Sequence, residues 1–566
     1  MDKTFNSIPK RYFTFYCFIA PLSAIASVIF SMVLQPVLDT SLSGDWTAFA
    51  RVSVWALAWS VLDQLFNYWA NMSRQRITAR FIKELRVQYF ARFFLQRIDF
   101  FLEEDTAGHL SRLTVDAETA GDRYCGSILK IYRALWSLII SVAAVIRVRW
   151  ELAIYVVVFS FLSVNLPKLF QKEADSAETT YLAASSAHVA EAHESIQGYL
   201  LIRLYNLTRT RIKRYDAAAA DLETQENIRQ QKYHAIDSLA SGISELSFTA
   251  IIIFAMILVI QGKMSIGYVL SVSQLLGGIM FPFEVLPKYL MAFRTGREIY
   301  RNSERTFQKA LETDGTQKIK LTSEHFVEIR NLSFAYTAGR PLLKQINLTL
   351  DIGKKYALVG TSGSGKSTLS KVIMGFLRPC GGTVEVGGVP IDAVEKNSLY
   401  QVLSYQSQKI SFFRDTIKNN ILLGSIVSSE DWVRVIRYSR LDEMLEKLPE
   451  GENTVIGEGG RNISDGEAQR IGLARCLAHS PRFMIFDEIT AALDNRNAEE
   501  IEKNILALPD MGALIITHRI YAENLRRCDR IFVLKDGRLV EQGTWDALIR
   551  KQGEFCQFIN LAKRLP

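Results

Sequence analysis

The sequence predicts two unlike parts in one chain. The first is an all-α, six-helix transmembrane domain, and the second is an α/β domain built around a phosphate-binding loop. Two observations carry this reading. Six apolar segments precede residue 290, most of them reaching the ~20 residues that cross a bilayer as a helix. Beyond them stands Gly360-Thr361-Ser362-Gly363-Ser364-Gly365-Lys366-Ser367-Thr368, which fits the pattern G-x-x-x-x-G-K-[ST]. Composition agrees: hydrophobic residues make up 48% of the 566 positions, yet charged residues still reach 22%. One strongly apolar part joined to one ordinary soluble part accounts for both values.

The apolar segments are Tyr12 to Leu38, Ala48 to Ala70, Ile128 to Ile146, Leu152 to Phe170, Ile243 to Ile260 and Ile266 to Leu286. Basic residues cluster before the first span (Lys3, Lys10, Arg11), after the second (Arg74 to Arg97) and after the fourth (Lys168 to Arg214). Arg147 and Arg149 run against that trend. The bias predicts both termini on the cytoplasmic side of a bacterial cytoplasmic membrane. The net charge of +8 is read as juxtamembrane charge in contact with the lipid bilayer, and not as a nucleic-acid interface. Six scattered cysteines without a C-x-x-C pair exclude a zinc site and a disulfide framework.

Two long polar intervals, Asn71 to Arg97 and Glu173 to Lys232, keep helical composition and predict extensions of the membrane helices into the cytosol. Glycine interrupts the second at Gly198. Four ionisable residues fall in or near the spans: Asp63, Glu245, Glu284 and Lys288. Such groups face a bundle interior or a wet cavity. Glu245 and Glu284 either contact a polar or cationic substrate or simply pair with neighbouring bases.

The helical pattern runs on to about Leu311, and Glu312 to Gln317 breaks it. The expected divisions are therefore 1–311 for the membrane domain, 312–324 for a linker and 325–566 for the second domain. Within the latter, Tyr356 to Val359 reads as a strand and Leu369 to Phe376 as a helix, the context a phosphate loop requires. Lys366 is placed to reach the β/γ-phosphates of ATP, and the Ser367 hydroxyl to ligate Mg²⁺. Phe483 to Phe486 is a buried strand ending in Asp487-Glu488. Asp487 can hold Mg²⁺ and Glu488 can polarise the attacking water. Tyr336, ending the strand from Val327, offers a ring for a nucleobase.

This order of motifs resembles the ATP-binding cassette of ABC transporters. The six spans before it are similar to a half-transporter of the type IV, or exporter, fold. The resemblance covers essentially the whole chain. It implies that Tyr336 is the adenine-stacking residue and that Gly360 to Thr368 is the Walker A loop. It implies further that Gln408 is the Mg²⁺-sensing Q-loop glutamine, with Gln406 a competitor for that role. Asp494 matches the D-loop, His518 the switch histidine, and Gly537 to Gly543 the closing hairpin. Gly108 to Asp116 and Glu194 to Arg203 resemble the coupling helices that dock into the ATP-binding domains.

One segment departs from the family. Its signature, Leu-Ser-Gly-Gly-Gln, stands here as Ile463-Ser464-Asp465-Gly466-Glu467. In the family this segment starts a helix whose N–H groups face the γ-phosphate bound by the other subunit, which implies nucleotide-binding roles for Ser464 and Gly466 and places Ser464 and Asp465 at that site. Two added carboxylates there each cost about 3 kcal/mol at ~6 Å and an effective dielectric of ~20. Since Glu488 and His518 are retained, the resemblance implies an asymmetric heterodimer with a second half-transporter, a homodimer being the alternative. The expected function is ATP-driven export of a substrate of unknown identity. Import of metal–siderophore complexes on the same fold, or ATP-gated regulation without transport, are the competing readings.

Overall fold

The structure, a computed structural model, describes residues 9–103, 106–165, 171–311, 315–321, 325–337, 339–457, 460, 462–489, 494–519 and 521–563. Residues 312–314 of the expected linker and 491–493 before Asp494 lie outside them, as do 104–105 and 166–170. The chain divides into two compact units. One comprises Met1–Phe94 and Glu104–Lys309; the other comprises Leu95–Glu103 and Ala310–Pro566.

The described residues of the first unit are helical apart from short turns. Among the described residues four helices are long and apolar enough to cross a membrane: Lys10–Ser43, Gly108–Val148, Thr208–Ile260 and Gly267–Gln308. The second predicted span lies inside the helix Trp46–Phe93, where Arg51 and Asp63 dilute the apolar run. The fourth is helical over Trp150–Asn165. At 1.5 Å per residue, the 53 residues of Thr208–Ile260 extend about 80 Å, far beyond the ~30 Å of a hydrocarbon core. Helix Gln171–Gln197 runs beside it, and Gly198 separates it from the short helix Tyr199–Leu204. Arg211 bonds Glu191 at 3.0 Å and Glu194 at 2.7 Å, Arg229 bonds Glu178 at 3.3 Å, and Lys232 bonds Glu173 at 2.6 Å. Each exposed pair is weak, but in series they hold the two helices in register.

The second unit is built on two sheets. Strands β1 (Val327–Phe334), β2 (Leu343–Leu350), β4 (Gly381–Val386) and β5 (Val389–Pro390) form an antiparallel sheet in the order β2-β1-β4-β5. The other strands are β3 (Lys355–Gly360), β6 (Leu403–Gln406), β7 (Phe483–Asp487), β8 (Gly512–Ile516), β9 (Arg530–Lys535) and β10 (Arg538–Gly543). They form a second sheet in the order β10-β9-β3-β8-β7-β6, parallel except for β10.

Strands β3, β7 and β8 are buried on both faces, which is why they read as uninterrupted apolar runs. Tyr356, Leu358, Phe483, Ile485, Leu514 and Ile516 pack toward the antiparallel sheet. Met484, Phe486, Ala513 and Ile515 pack on the opposite face, against helical residues such as Ile417, Ile471 and Ile501. The predicted strand around Tyr356 to Val359 is one residue longer at each end. The helix after the loop starts earlier than predicted, at Lys366, and ends at Ile373. Part of the expected linker is paired, Gln317 bridging Val394 in parallel fashion.

The closing hairpin turns at Asp536 and Gly537, with φ of 50° and 78°, the left-handed pair that a two-residue hairpin demands. A Cβ on Gly537 would lie 1.9 Å from the Leu342 carbonyl oxygen. Gly537→Ala is expected to lower the thermal midpoint of the second unit by about 5 °C or more, read by scanning calorimetry of the full chain.

Candidate functional site

In an open parallel sheet, ligands bind at the carboxyl ends of the strands. Here the strand order sets the ends of β3, β8, β7 and β6 side by side. Four motifs far apart in sequence are thereby gathered at one edge: the glycine-rich loop after β3, His518 after β8, Asp487-Glu488 at the end of β7, and Gln408 beyond β6.

The loop is shaped by glycine where no other residue fits. Gly360 has φ 155°, and a Cβ there would approach the Leu534 carbonyl oxygen to 2.1 Å. Thr361, Ser362 and Gly363 round the turn, and Gly365, at φ 102°, leads into the helix that begins with Lys366. Lys366 is only 4% exposed. Its ammonium donates to the carbonyls of Gly360 at 3.0 Å and Thr361 at 2.9 Å. Burial pulls its pKa down, and the nearby Glu488 and Asp487 carboxylates pull it part of the way back. The buried Ser364 hydroxyl has no hydrogen-bond partner. An orphaned hydroxyl and a buried ammonium turned onto its own loop are what a polyphosphate-binding loop presents before its ligand arrives.

Asp487, also 4% exposed, accepts from the Ser367 hydroxyl at 3.0 Å and from the Tyr405 hydroxyl at 2.9 Å. Burial raises its pKa, and these two bonds oppose the rise. The predicted metal pair, Ser367 and Asp487, is thus in contact. Among the described residues no cluster of three or more His, Cys, Asp or Glu side chains could hold a metal alone. An ion here would draw its remaining ligands from phosphate and water, as Mg²⁺ commonly does.

Glu488 sits at φ 55°, a left-handed conformation that costs a non-glycine residue about 1–2 kcal/mol. Its N–H donates to the Ile516 carbonyl at 3.1 Å, and its carboxylate is gripped on both oxygens. Gln408 Nε2 donates to Oε2 at 3.1 Å and His518 Nε2 lies 2.7 Å from Oε1. The two candidate glutamines differ in burial and in partners. Gln406 turns inward, its Nε2 donating to the Gln469 backbone oxygen at 2.9 Å and side-chain oxygen at 3.0 Å. Gln469 in turn donates to the Gln408 carbonyl at 2.5 Å. Tyr336 is 63% exposed. Its hydroxyl lies 3.4 Å from Thr368 Oγ1, and its ring is edge-on to Phe334 at 4.9 Å.

Tyr405 and Gln469 escaped the reading of the sequence. Tyr405 is half-buried in the short strand β6, and nothing local in the sequence signals its hydroxyl partner. Asp494 caps the helix Asn495–Leu506, accepting from the Asn497 N–H at 3.0 Å.

The altered signature holds a surprise. Ser464 is the N-cap of the helix Asp465–Ala478, and Glu467 completes a capping box with it. The Glu467 carboxylate accepts from the Ser464 N–H at 2.9 Å and hydroxyl at 2.6 Å. Burial raises the Glu467 pKa, but the two Ser464 bonds prevail and hold it below the ordinary carboxylate value. The expectation of two carboxylates projecting from this helix end is therefore revised. Glu467 is folded back on its own cap, where it occupies the Ser464 N–H and hydroxyl.

Residues 13–283 match the family model of the ABC transporter transmembrane region, and residues 343–491 match the ABC transporter family model. The chain belongs to the ABC transporters, with both regions fused in one polypeptide. It is 26% identical over 554 residues to the mesentericin-Y105 transport/processing ATP-binding protein MesD of Leuconostoc mesenteroides, covering 96% of this chain and 75% of that protein. It is 24% identical over 546 residues to the ATP-dependent lipid A-core flippase of Vibrio vulnificus strain YJ016, covering 95% and 92%. A bacterial Atm1-family ABC exporter solved with ATP bound shares the fold, with a TM-score of 0.82 at 23% identity over 99% of both chains. The chain is accordingly an ATP-hydrolysing transporter subunit of the exporter fold.

The two glutamines separate stability from turnover. Gln408→Ala is expected to slow ATP hydrolysis about tenfold or more while leaving the unfolding midpoint in place. Gln406→Ala is expected to lower stability by about 1–3 kcal/mol, through the buried bonds it removes. Calorimetry and phosphate release on both variants check the pair.

Proposed function

We propose that this chain is one half of an exporter in a bacterial cytoplasmic membrane, with both termini in the cytoplasm, that moves its substrate outward as ATP is cleaved. The observation that carries the reading is the meeting of Lys366, Ser367, Asp487, Gln408, Glu488 and His518 at one sheet edge, in a chain that begins with a membrane domain. Tyr336 stacks the adenine, and the loop from Gly360 to Thr368 wraps the phosphates. Lys366 exchanges its carbonyl bonds for phosphate oxygens. Ser367 and Asp487, with Gln408 nearby, would hold Mg²⁺, which offsets charge on the phosphates when bound.

Glu488 orients a water in line with the γ-phosphorus and takes its proton as the new P–O bond forms. The bond to the bridging oxygen breaks, leaving ADP and phosphate. His518 keeps the Glu488 carboxylate aimed and contacts the γ-phosphate. Closure of two ATP-binding domains around the nucleotide then drives the membrane helices, through the regions 108–116 and 194–203.

The partner is a second half-transporter with an intact signature. Glu467, bound to the Ser464 hydroxyl and N–H, supports this: a phosphate would have to displace a carboxylate already seated there. The site that this chain's signature helps to form is then slow or silent, and hydrolysis falls to the site built from its own Glu488. Purified alone, the chain is expected to show little ATPase activity, and brisk turnover without a partner would sink the heterodimer. In the assembled transporter, Glu488→Gln is expected to cut phosphate release by about a hundredfold or more with nucleotide still bound. Filter binding and a transport assay in inside-out vesicles check both halves of that outcome.

A further inference from the structure

The membrane domain contains a cavity of about 350 Å³ whose lining includes Arg74, Lys130 and Arg133 and, among the described residues, no carboxylate. That volume is of the size that takes small ligands or headgroups. Three cations together within a membrane domain are costly unless something offsets their charge. The neighbourhood does so only in part.

Arg133 is oriented but not neutralised. Its guanidinium donates to Asn67 Oδ1 at 2.5 Å and Asn71 Oδ1 at 2.9 Å, both uncharged acceptors. The nearest carboxylate in that chain of bonds is Asp63. It is already engaged by the Ser27 hydroxyl at 2.6 Å and Asn67 Nδ2 at 3.0 Å. Lys130 approaches Asp122 at 3.8 Å, the long end of an ion pair, and lies over the Tyr289 ring at 5.8 Å. Among the described residues Arg74 makes no ion pair or hydrogen bond. The remaining wall is partly apolar, with Phe281 and Pro282.

We propose that this cavity binds the anionic headgroup of the transported molecule, a phosphate or carboxylate held by Arg74, Lys130 and Arg133, with apolar surface received beside it. A planar guanidinium matches such oxyanions through paired N–H donors. Asn67 and Asn71 fix the Arg133 fork in advance, so little freedom is lost when the anion arrives. That the anion is cargo rests on the exporter reading; that it binds does not.

The test uses the full-length transporter in phosphatidylcholine nanodiscs, carrying Glu488→Gln so that hydrolysis plays no part. It is titrated with phosphatidic acid in one arm and with soluble glycerol phosphate in the other, and thermal unfolding is followed. A saturable rise in midpoint is expected in at least one arm. Arg74→Gln and Lys130→Gln should each weaken the apparent affinity about tenfold, whereas Arg51→Gln, remote from the cavity lining, should not. A response to phosphatidic acid alone assigns the anion to a lipid headgroup, and a response in both arms assigns it to any phosphate of this size. Among the described residues Arg74 has no hydrogen bond or ion pair to lose, so Arg74→Gln should keep the ligand-free midpoint. The absence of a saturable response, or one that both cavity variants leave unchanged, overturns the proposal. Binding without ATP-driven export of the same compound would instead count against the exporter reading alone.

Discussion

A lysine and two carboxylates crowd the carboxyl ends of β3 and β7, and the rest of the cassette is arranged around that fact. Charges so far from water need partners. Lys366 and Asp487 do not pair with each other here. The ammonium rests on the carbonyls of Gly360 and Thr361, and the carboxylate on the hydroxyls of Ser367 and Tyr405. Each is satisfied by a neutral group that it can release. On the proposed function, a triphosphate would supply better partners for the lysine, and a cation would supply them for the serine and aspartate. Binding therefore gains from an exchange of bonds and does not have to create a site from nothing.

Glu488 shows the same economy at the reacting end. Its backbone is held in a strained conformation by the neighbouring strand, and its two oxygens are held by Gln408 and His518. Three separate segments thus agree on where one carboxylate points. Gln408 and His518 sit beyond the ends of different strands, so any shift between those strands moves the donors and loosens the grip. This gives a physical route by which a change elsewhere in the domain can reach the base.

Two places in the chain, the signature helix and the basic cavity, obey opposite rules. At the signature the introduced acid finds its partner locally: Glu467 closes on Ser464 within one helical turn, and a donor pair is withdrawn from use. In the membrane domain Asp122 reaches Lys130 only at 3.8 Å, and neutral asparagines steer Arg133 without cancelling it. The first arrangement ties up the donors of a helix end; the second leaves cations that neutral groups orient.

Much of this was legible beforehand because it is local. Glycine spacing before Lys366, apolar runs of bilayer length, and a strand ending in two acids each follow from a few neighbouring residues. The wrongly placed start of the helix after the loop is a local error too, since Lys366 and Ser367 are ordinary loop residues until the glycines set them in a first turn. What no local rule contains is which side chain meets which across the sheet. The crossover order that puts β6 beside β7 decides that Tyr405 bonds Asp487, and that Gln408 reaches Glu488 while Gln406 is buried on Gln469. Likewise, Arg74, Lys130 and Arg133 looked like juxtamembrane bases or went unremarked, because a cavity is a property of packed helices and not of any one of them. The amino-acid sequence by itself determined the chemistry available and the elements that carry it, through short-range sterics and hydrophobic period. Only the tertiary structure decided the pairings, because charge and hydrogen bonding act over a few ångströms between residues that the chain keeps far apart.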